Sequence, residues 1–200
     1  MSESSGTDAA IGQICELQAE LNQLRADVAL LQAEAGARRT LGRYMRLCDV
    51  PRLMAGASEE ERARAIAALF TPDAIWEGVG GAHGAQFGSQ VGREAIAAHF
   101  LNFYTQREPV QVFNTHYLCT ESLEATGDRV TGDWVQFQPW VDAAGGSLLR
   151  SSRLNVAFEQ VGGEWLIAHY RTENLFIAAL PDNWWSSLIA RPALEISGAG

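Results

Sequence analysis

The spacing of apolar residues changes period once along this chain, and that change sets the order of its elements. Before Tyr104 the apolar side chains recur every three or four residues; from Val110 onward they alternate. The alternation predicts four strands, at Val110–Glu124, Arg129–Val141, Ser147–Val161 and Trp165–Asn174. Thr126-Gly127-Asp128, Ala143-Ala144-Gly145-Gly146 and Gly162-Gly163 separate them, each a turn sequence short enough to join antiparallel neighbours. Helices first and a meander second is the α+β order. Strands this long curl, so the expected fold is a cone-shaped curled antiparallel sheet with packed helices and a pocket inside.

Four regions are expected. Residues 1–9 are rich in Ser, Gly and Asp and are expected to be disordered. Residues 10–36 carry Ile14, Leu17, Leu21, Leu24, Val28 and Leu31 in steps of 3, 4, 3, 4, 3, an a/d seam. That helix either lies on its own domain or associates with another copy, and Gly36 is expected to interrupt it. Residues 37–176 form the main domain, and 177–200 a tail in which Trp184 and Trp185 either cap the cone as a lid or pack on a neighbouring subunit.

Inside the main domain, Leu41, Tyr44, Met45 and Leu47 mark a second helical segment ending near Asp49, because Pro51 disfavours helix at the residue before it. Ser58 and Glu61 form a capping box that opens a helix over Glu59–Phe70. Thr71-Pro72-Asp73 reads as a turn and Ala74–Glu77 as a short strand. Gly78–Gly92 reads as a glycine-rich flap, with His83 solvated, and Arg93–Tyr104 as a helix whose Ile96, Phe100 and Phe103 share a face. The glycines match neither the order of a phosphate loop nor that of a dinucleotide fingerprint.

Composition narrows the function. The net charge of −9 argues against nucleic acid as a partner. All fifteen basic residues are arginine, which removes lysine Schiff-base chemistry. Cys15, Cys48 and Cys119 are odd in number and widely spaced, so neither a disulfide framework nor a metal site is expected. No basic leader followed by an apolar stretch opens the chain, and no apolar run has the length of a membrane span; the expectation is a cytoplasmic protein.

Asp49 at a helix end and His116 at the start of a strand are the residue types that proton-transfer catalysis needs. A carboxylate fixes the imidazole tautomer and raises its basicity, and the imidazole moves the proton. The opposing readings are a solvated Asp49 beside Pro51 and Arg52, and a His116 satisfied by a backbone carbonyl. Tyr44 can offer a hydroxyl to a leaving group, or can simply pack. Strand parity adds candidates for the pocket wall: Arg153 and Asn155 to stabilise developing negative charge, if their face looks inward, with Trp134 and Trp76 as substrate contacts. Trp165, Ile167, His169 and Arg171 fall on one face by the same count, and His99 is given no role.

Several stretches resemble the SnoaL-like branch of the nuclear-transport-factor-2-like superfamily. They are Arg43-Tyr44-Met45 with Asp49, Ala68-Leu69-Phe70-Thr71-Pro72-Asp73-Ala74-Ile75-Trp76-Glu77, Gly92-Arg93-Glu94-Ala95-Ile96, Thr115-His116-Tyr117-Leu118 and Gly163-Glu164-Trp165-Leu166-Ile167-Ala168-His169. The Asp49/His116 pattern is similar to that of scytalone dehydratase, bile-acid 7α-dehydratase and hexachlorocyclohexane dehydrochlorinase. Tyr44, five residues before Asp49, matches the bile-acid enzyme and departs from the dehydrochlorinase, which has lysine there. The resemblance implies a lyase of dehydratase type that needs no metal or organic cofactor. It would act on a hydrophobic oxygenated small molecule of secondary metabolism, such as a polyketide, a steroid-like ring or an aromatic intermediate. A ketosteroid-type isomerase or polyketide cyclase, and a non-enzymatic binding or assembly module, are the alternatives. It also implies a homo-oligomer, a trimer before a dimer.

Overall fold

The computed structural model describes residues 3–51, 56–80, 87–106, 109–181 and 184. His83, Gln86, Trp185 and most of the expected tail lie outside them. Among the described residues, three helices and seven strands follow in the order α1 (Glu3–Cys48), α2 (Glu59–Ala67), β1 (Phe70–Val79), β2 (Ser89–Val91), α3 (Arg93–Thr105), β3 (Gln111–Asn114), β4 (Tyr117–Thr126), β5 (Arg129–Asp142), β6 (Ser147–Val161) and β7 (Glu164–Ala179).

α1 is one helix of 46 residues, not two segments broken at Gly36. Its sequence is rich in Ala, Leu, Gln, Glu and Arg, all strong helix formers, and contains no proline. Gly36 is there for proximity: a Cβ at this position would lie 2.2 Å from Trp165 Cδ1. Around that contact the Thr40 hydroxyl donates to the Trp165 carbonyl at 2.6 Å, and Arg38 pairs with Glu121 of β4 at 2.6 Å. Ala33, Ala37, Leu41, Tyr44, Met45 and Cys48 are buried, a stripe at helical spacing that seals the sheet. Residues 11–32 are exposed throughout, so the heptad seam does not lie on its own domain.

The sheet runs β2-β1-β7-β6-β5-β3, with β4 also paired to β5. The meander β5-β6-β7 is antiparallel as expected, but β1 closes the far side parallel to β7. The stretch read as a turn, Thr71-Pro72-Asp73, is the irregular start of β1, where register with β7 shifts between Phe70 and Ile75. The expected first long strand is two, β3 and β4, separated by Thr115 and His116. The expected flap contains β2, antiparallel to β1. Phe70, Leu154, Phe158 and Ile167 are fully buried, each stabilising the fold by about 1.5–3 kcal/mol. The outer face leaves Tyr117 and Phe137 exposed opposite one another.

One bulge decides which side chains enter the cone. β6 and β7 slip in register between Ala157 and Phe158, leaving Ala168 as the extra residue on β7. Inward parity therefore changes from Trp165 and Ile167 to Tyr170 and Thr172.

Candidate active site

The helix end that carries Asp49 is tied to the strand that leads to His116. Val50 and Asn114 exchange backbone hydrogen bonds at 2.8 and 3.1 Å, an isolated antiparallel bridge. The last carbonyls of α1, which have no partner within the helix, accept from side chains. Arg62 Nε donates to Leu47 O at 2.7 Å, Arg62 Nη2 to Asp49 O at 3.2 Å, and Asn114 Nδ2 to Cys48 O at 3.1 Å. Arg62 is buried, with its guanidinium 3.8 Å over the Tyr104 ring and an ion pair to Glu59.

Asp49 Oδ1 then accepts twice from His116, from ring Nδ1 at 2.7 Å and from the backbone N–H at 3.0 Å. The pair is mostly shielded from water, and the Nδ1–H···O bond leaves Nε2 as the ring nitrogen for chemistry. His116 lines a cavity whose empty space, counted out to its open mouth, is about 550 Å³.

Tyr44 lines the same cavity. Trp76 Nε1 donates to its hydroxyl oxygen at 3.0 Å, and the Tyr170 hydroxyl and Cys48 thiol lie within hydrogen-bond reach of the same group. Burial raises the pKa of Tyr44 well above the ordinary tyrosine value, and does the same to Tyr104 and Tyr170. It pushes the Cys48 thiol up to about 12. These four groups stay protonated at neutral pH and act as neutral donors. Aromatic faces make up most of the rest: Tyr44 meets Tyr170 at 5.0 Å and Phe100 at 6.0 Å, and Trp76 stacks on Tyr170 at 6.1 Å. A row of amides crosses the wall, Gln136 donating to Gln138 at 2.9 Å and Gln138 to Asn114 at 2.8 Å. Gln136 Oε1 is buried with no hydrogen-bond partner among the described residues.

The expected substrate contacts divide. Trp76 lines the cavity. Trp134 points inward but sits deeper, against Phe158, with its indole N–H on Glu121, and does not reach the cavity. Arg153 and Asn155 are on the outside, because the even-numbered residues of β6 fill the cone with Leu154, Val156 and Phe158. Asn155 there bonds Asp133 and Arg171. His169, displaced outward by the bulge, bonds Glu77 at 2.9 Å.

Parity counted without the bulge also missed Tyr170 and Thr172, which the cavity includes. Two further residues line the cavity: His99, to which the sequence assigns no role, and Arg150, which it does not single out. His99 of α3 lines the cavity 4.6 Å from the Trp76 ring, and burial lowers its pKa. Arg150 of β6 is 6% exposed and lies 4.5 Å over the Phe87 ring. An arginine on the inward parity of a long strand was the available signal.

A curled sheet closed by helices around a cavity of this kind defines the cone-shaped α+β class. The family model of the SnoaL-like domain matches residues 29–171, and the chain belongs to that family. No curated protein matches. Solved structures share the fold. Hexachlorocyclohexane dehydrochlorinase of type 2 superposes with a TM-score of 0.58 at 19% identity, over 76% of this chain and 90% of its own. A protein from Novosphingobium aromaticivorans provisionally described as a scytalone dehydratase gives 0.58 at 12% identity, over 76% and 89%. A nuclear-transport-factor-2-like protein from the same organism gives 0.57 at 19%, over 78% and 90%.

Proposed function

We propose that this chain is a lyase of dehydratase type that works by proton transfer from its own side chains on a hydrophobic, oxygenated small molecule. The observation that carries this reading is the 2.7 Å bond from His116 Nδ1 to Asp49, which holds His116 in the wall of an aromatic cavity. His116 Nε2 removes a proton made acidic by an adjacent carbonyl. The freed electron pair forms the new double bond and expels the β-hydroxyl group. Asp49 stabilises the imidazolium, which then returns its proton to the departing oxygen, so water leaves and His116 is neutral again. Tyr44, held protonated by burial, donates a hydrogen bond to that oxygen rather than its proton. Among the described residues no cluster of His, Cys, Asp and Glu could hold a metal ion, and no helix is long and apolar enough to cross a membrane.

Incubation with β-hydroxy carbonyl compounds built on aromatic or polycyclic bodies, read by mass spectrometry, tests this. Loss of the mass of water, abolished in His116→Ala, is the expected result. Conserved mass with a moved double bond would assign an isomerase or cyclase instead. Ligand binding without turnover, unchanged in His116→Ala, would make the chain a binding module.

A further inference from the structure

The cavity contains a positive charge that no carboxylate among the described residues neutralises. Arg150 is buried in the wall, and no carboxylate of the described residues forms an ion pair with it. Its Nε is buried with no hydrogen-bond partner there. The groups that face it are Phe87 through its ring, and the tyrosines Tyr44 and Tyr170, which burial keeps neutral. A buried charge without a partner is costly, and proteins keep one where a ligand supplies the opposite charge. Guanidinium geometry matches a carboxylate bidentately. A transient enolate would compensate the charge only during the chemical step, whereas a carboxylate on the substrate compensates it throughout.

We infer that Arg150 is a carboxylate-binding residue and that the substrate is an aromatic or polycyclic carboxylate, held with its acid group on β6 and its reacting carbon toward His116. This rests on the dehydratase reading for what happens at His116, but the anion subsite can be tested without it. Trp76 and Trp140 line the cavity and report binding by fluorescence. The full chain is titrated with 2-naphthoate and with the isosteric neutral 2-naphthamide. The expected result is naphthoate binding at least tenfold tighter than naphthamide. In Arg150→Met the preference disappears through loss of naphthoate affinity alone, and Arg150→Lys keeps part of it. Naphthoate should raise the melting temperature of the wild-type chain and not that of Arg150→Met, which folds without the buried charge. Equal affinities in the wild type, no naphthoate binding, or an unchanged preference in Arg150→Met overturns the inference. Probe binding needs no proton transfer, so these outcomes leave the dyad reading untouched, and an inactive dyad leaves them measurable.

A second, independent observation concerns α1. Residues 11–32, about 33 Å of helix, are exposed, including Ile14, Leu17, Leu21, Leu24, Val28 and Leu31. With Ile14, Leu21 and Val28 at a and Leu17, Leu24 and Leu31 at d, the core composition is that of a parallel two-stranded coil. Flanking charges select the same orientation. Parallel pairing sets Glu20 against Arg25 of a second copy and Asp27 against Gln32. Antiparallel pairing over the full seam would set Glu20 against Asp27. We propose that a second copy of this chain covers the seam as a parallel coiled coil. In a full chain carrying Leu24→Cys with Cys15→Ser and Cys119→Ser, mild oxidation should give a covalent dimer, and Leu17→Asp with Leu24→Asp should halve the mass in solution at an unchanged melting temperature. A Leu24→Cys chain that stays uncrosslinked under oxidant, or a solution mass unaffected by the aspartates, overturns it.

Discussion

One carboxylate oxygen of Asp49 holds His116 at two points, the ring at 2.7 Å and the backbone at 3.0 Å. The double contact fixes both the position of the strand start and the tautomer of the imidazole. Replacing Asp49 with Asn keeps the shape and can keep the backbone contact, but offers the ring an amide that also satisfies the opposite tautomer. Turnover in Asp49→Asn should fall by about two to four orders of magnitude with little change in substrate affinity, measured as a kcat against KM split.

Arg62 holds that geometry from behind. It donates to the carbonyls of Leu47 and Asp49 and is packed over Tyr104. Arg62→Ala leaves those buried acceptors unpaired and opens a hole, so it should cost about 2–4 kcal/mol in denaturant unfolding. An undiminished stability would remove Arg62 from the account of how Asp49 is positioned.

Gly36 and Gly42 lie in the same helix and should respond oppositely to alanine. At Gly36 the new Cβ would sit 2.2 Å from Trp165, and overpacking of about 1–3 kcal/mol outweighs the better helix propensity. At Gly42 nothing lies within 4 Å, so alanine should stabilise by about 0.5–1 kcal/mol. Thermal unfolding of the two variants checks the sign of each.

His99 gives stability a pH dependence. Burial disfavours its imidazolium, so the folded chain binds fewer protons than the unfolded chain near the ordinary value of 6.5. Its contribution is complete above 6.5 and is lost as pH falls from there toward the depressed folded value. His99→Gln should flatten the decline of unfolding free energy over that window. A decline as steep in His99→Gln as in the wild type would assign the dependence to other groups.

The sequence showed the α+β order, the capping box at Ser58 and the members of the candidate dyad, because periodicity and helix-end chemistry are local. Ser58 and Glu61 do form both capping bonds, at 3.2 and 2.8 Å. What escaped was non-local. The Ala168 bulge, which turns His169 out and Tyr170 in, depends on how β6 and β7 meet. Gly36 reads as a helix breaker until Trp165 is seen against it. Arg153 and Asn155 looked plausible because the polar and apolar faces of β6 were told apart without knowing which was inside. The inner face carries its own charge, Arg150, two turns of pleat from Leu154.

The central claim is that Asp49 holds the proton on His116 Nδ1 and leaves Nε2 as the base. Nitrogen-15 NMR of the imidazole reads this without a substrate. The account predicts a protonated Nδ1 and a bare Nε2 in the wild-type chain, with the opposite tautomer gaining population in Asp49→Asn. A wild-type His116 protonated at Nε2 would contradict it.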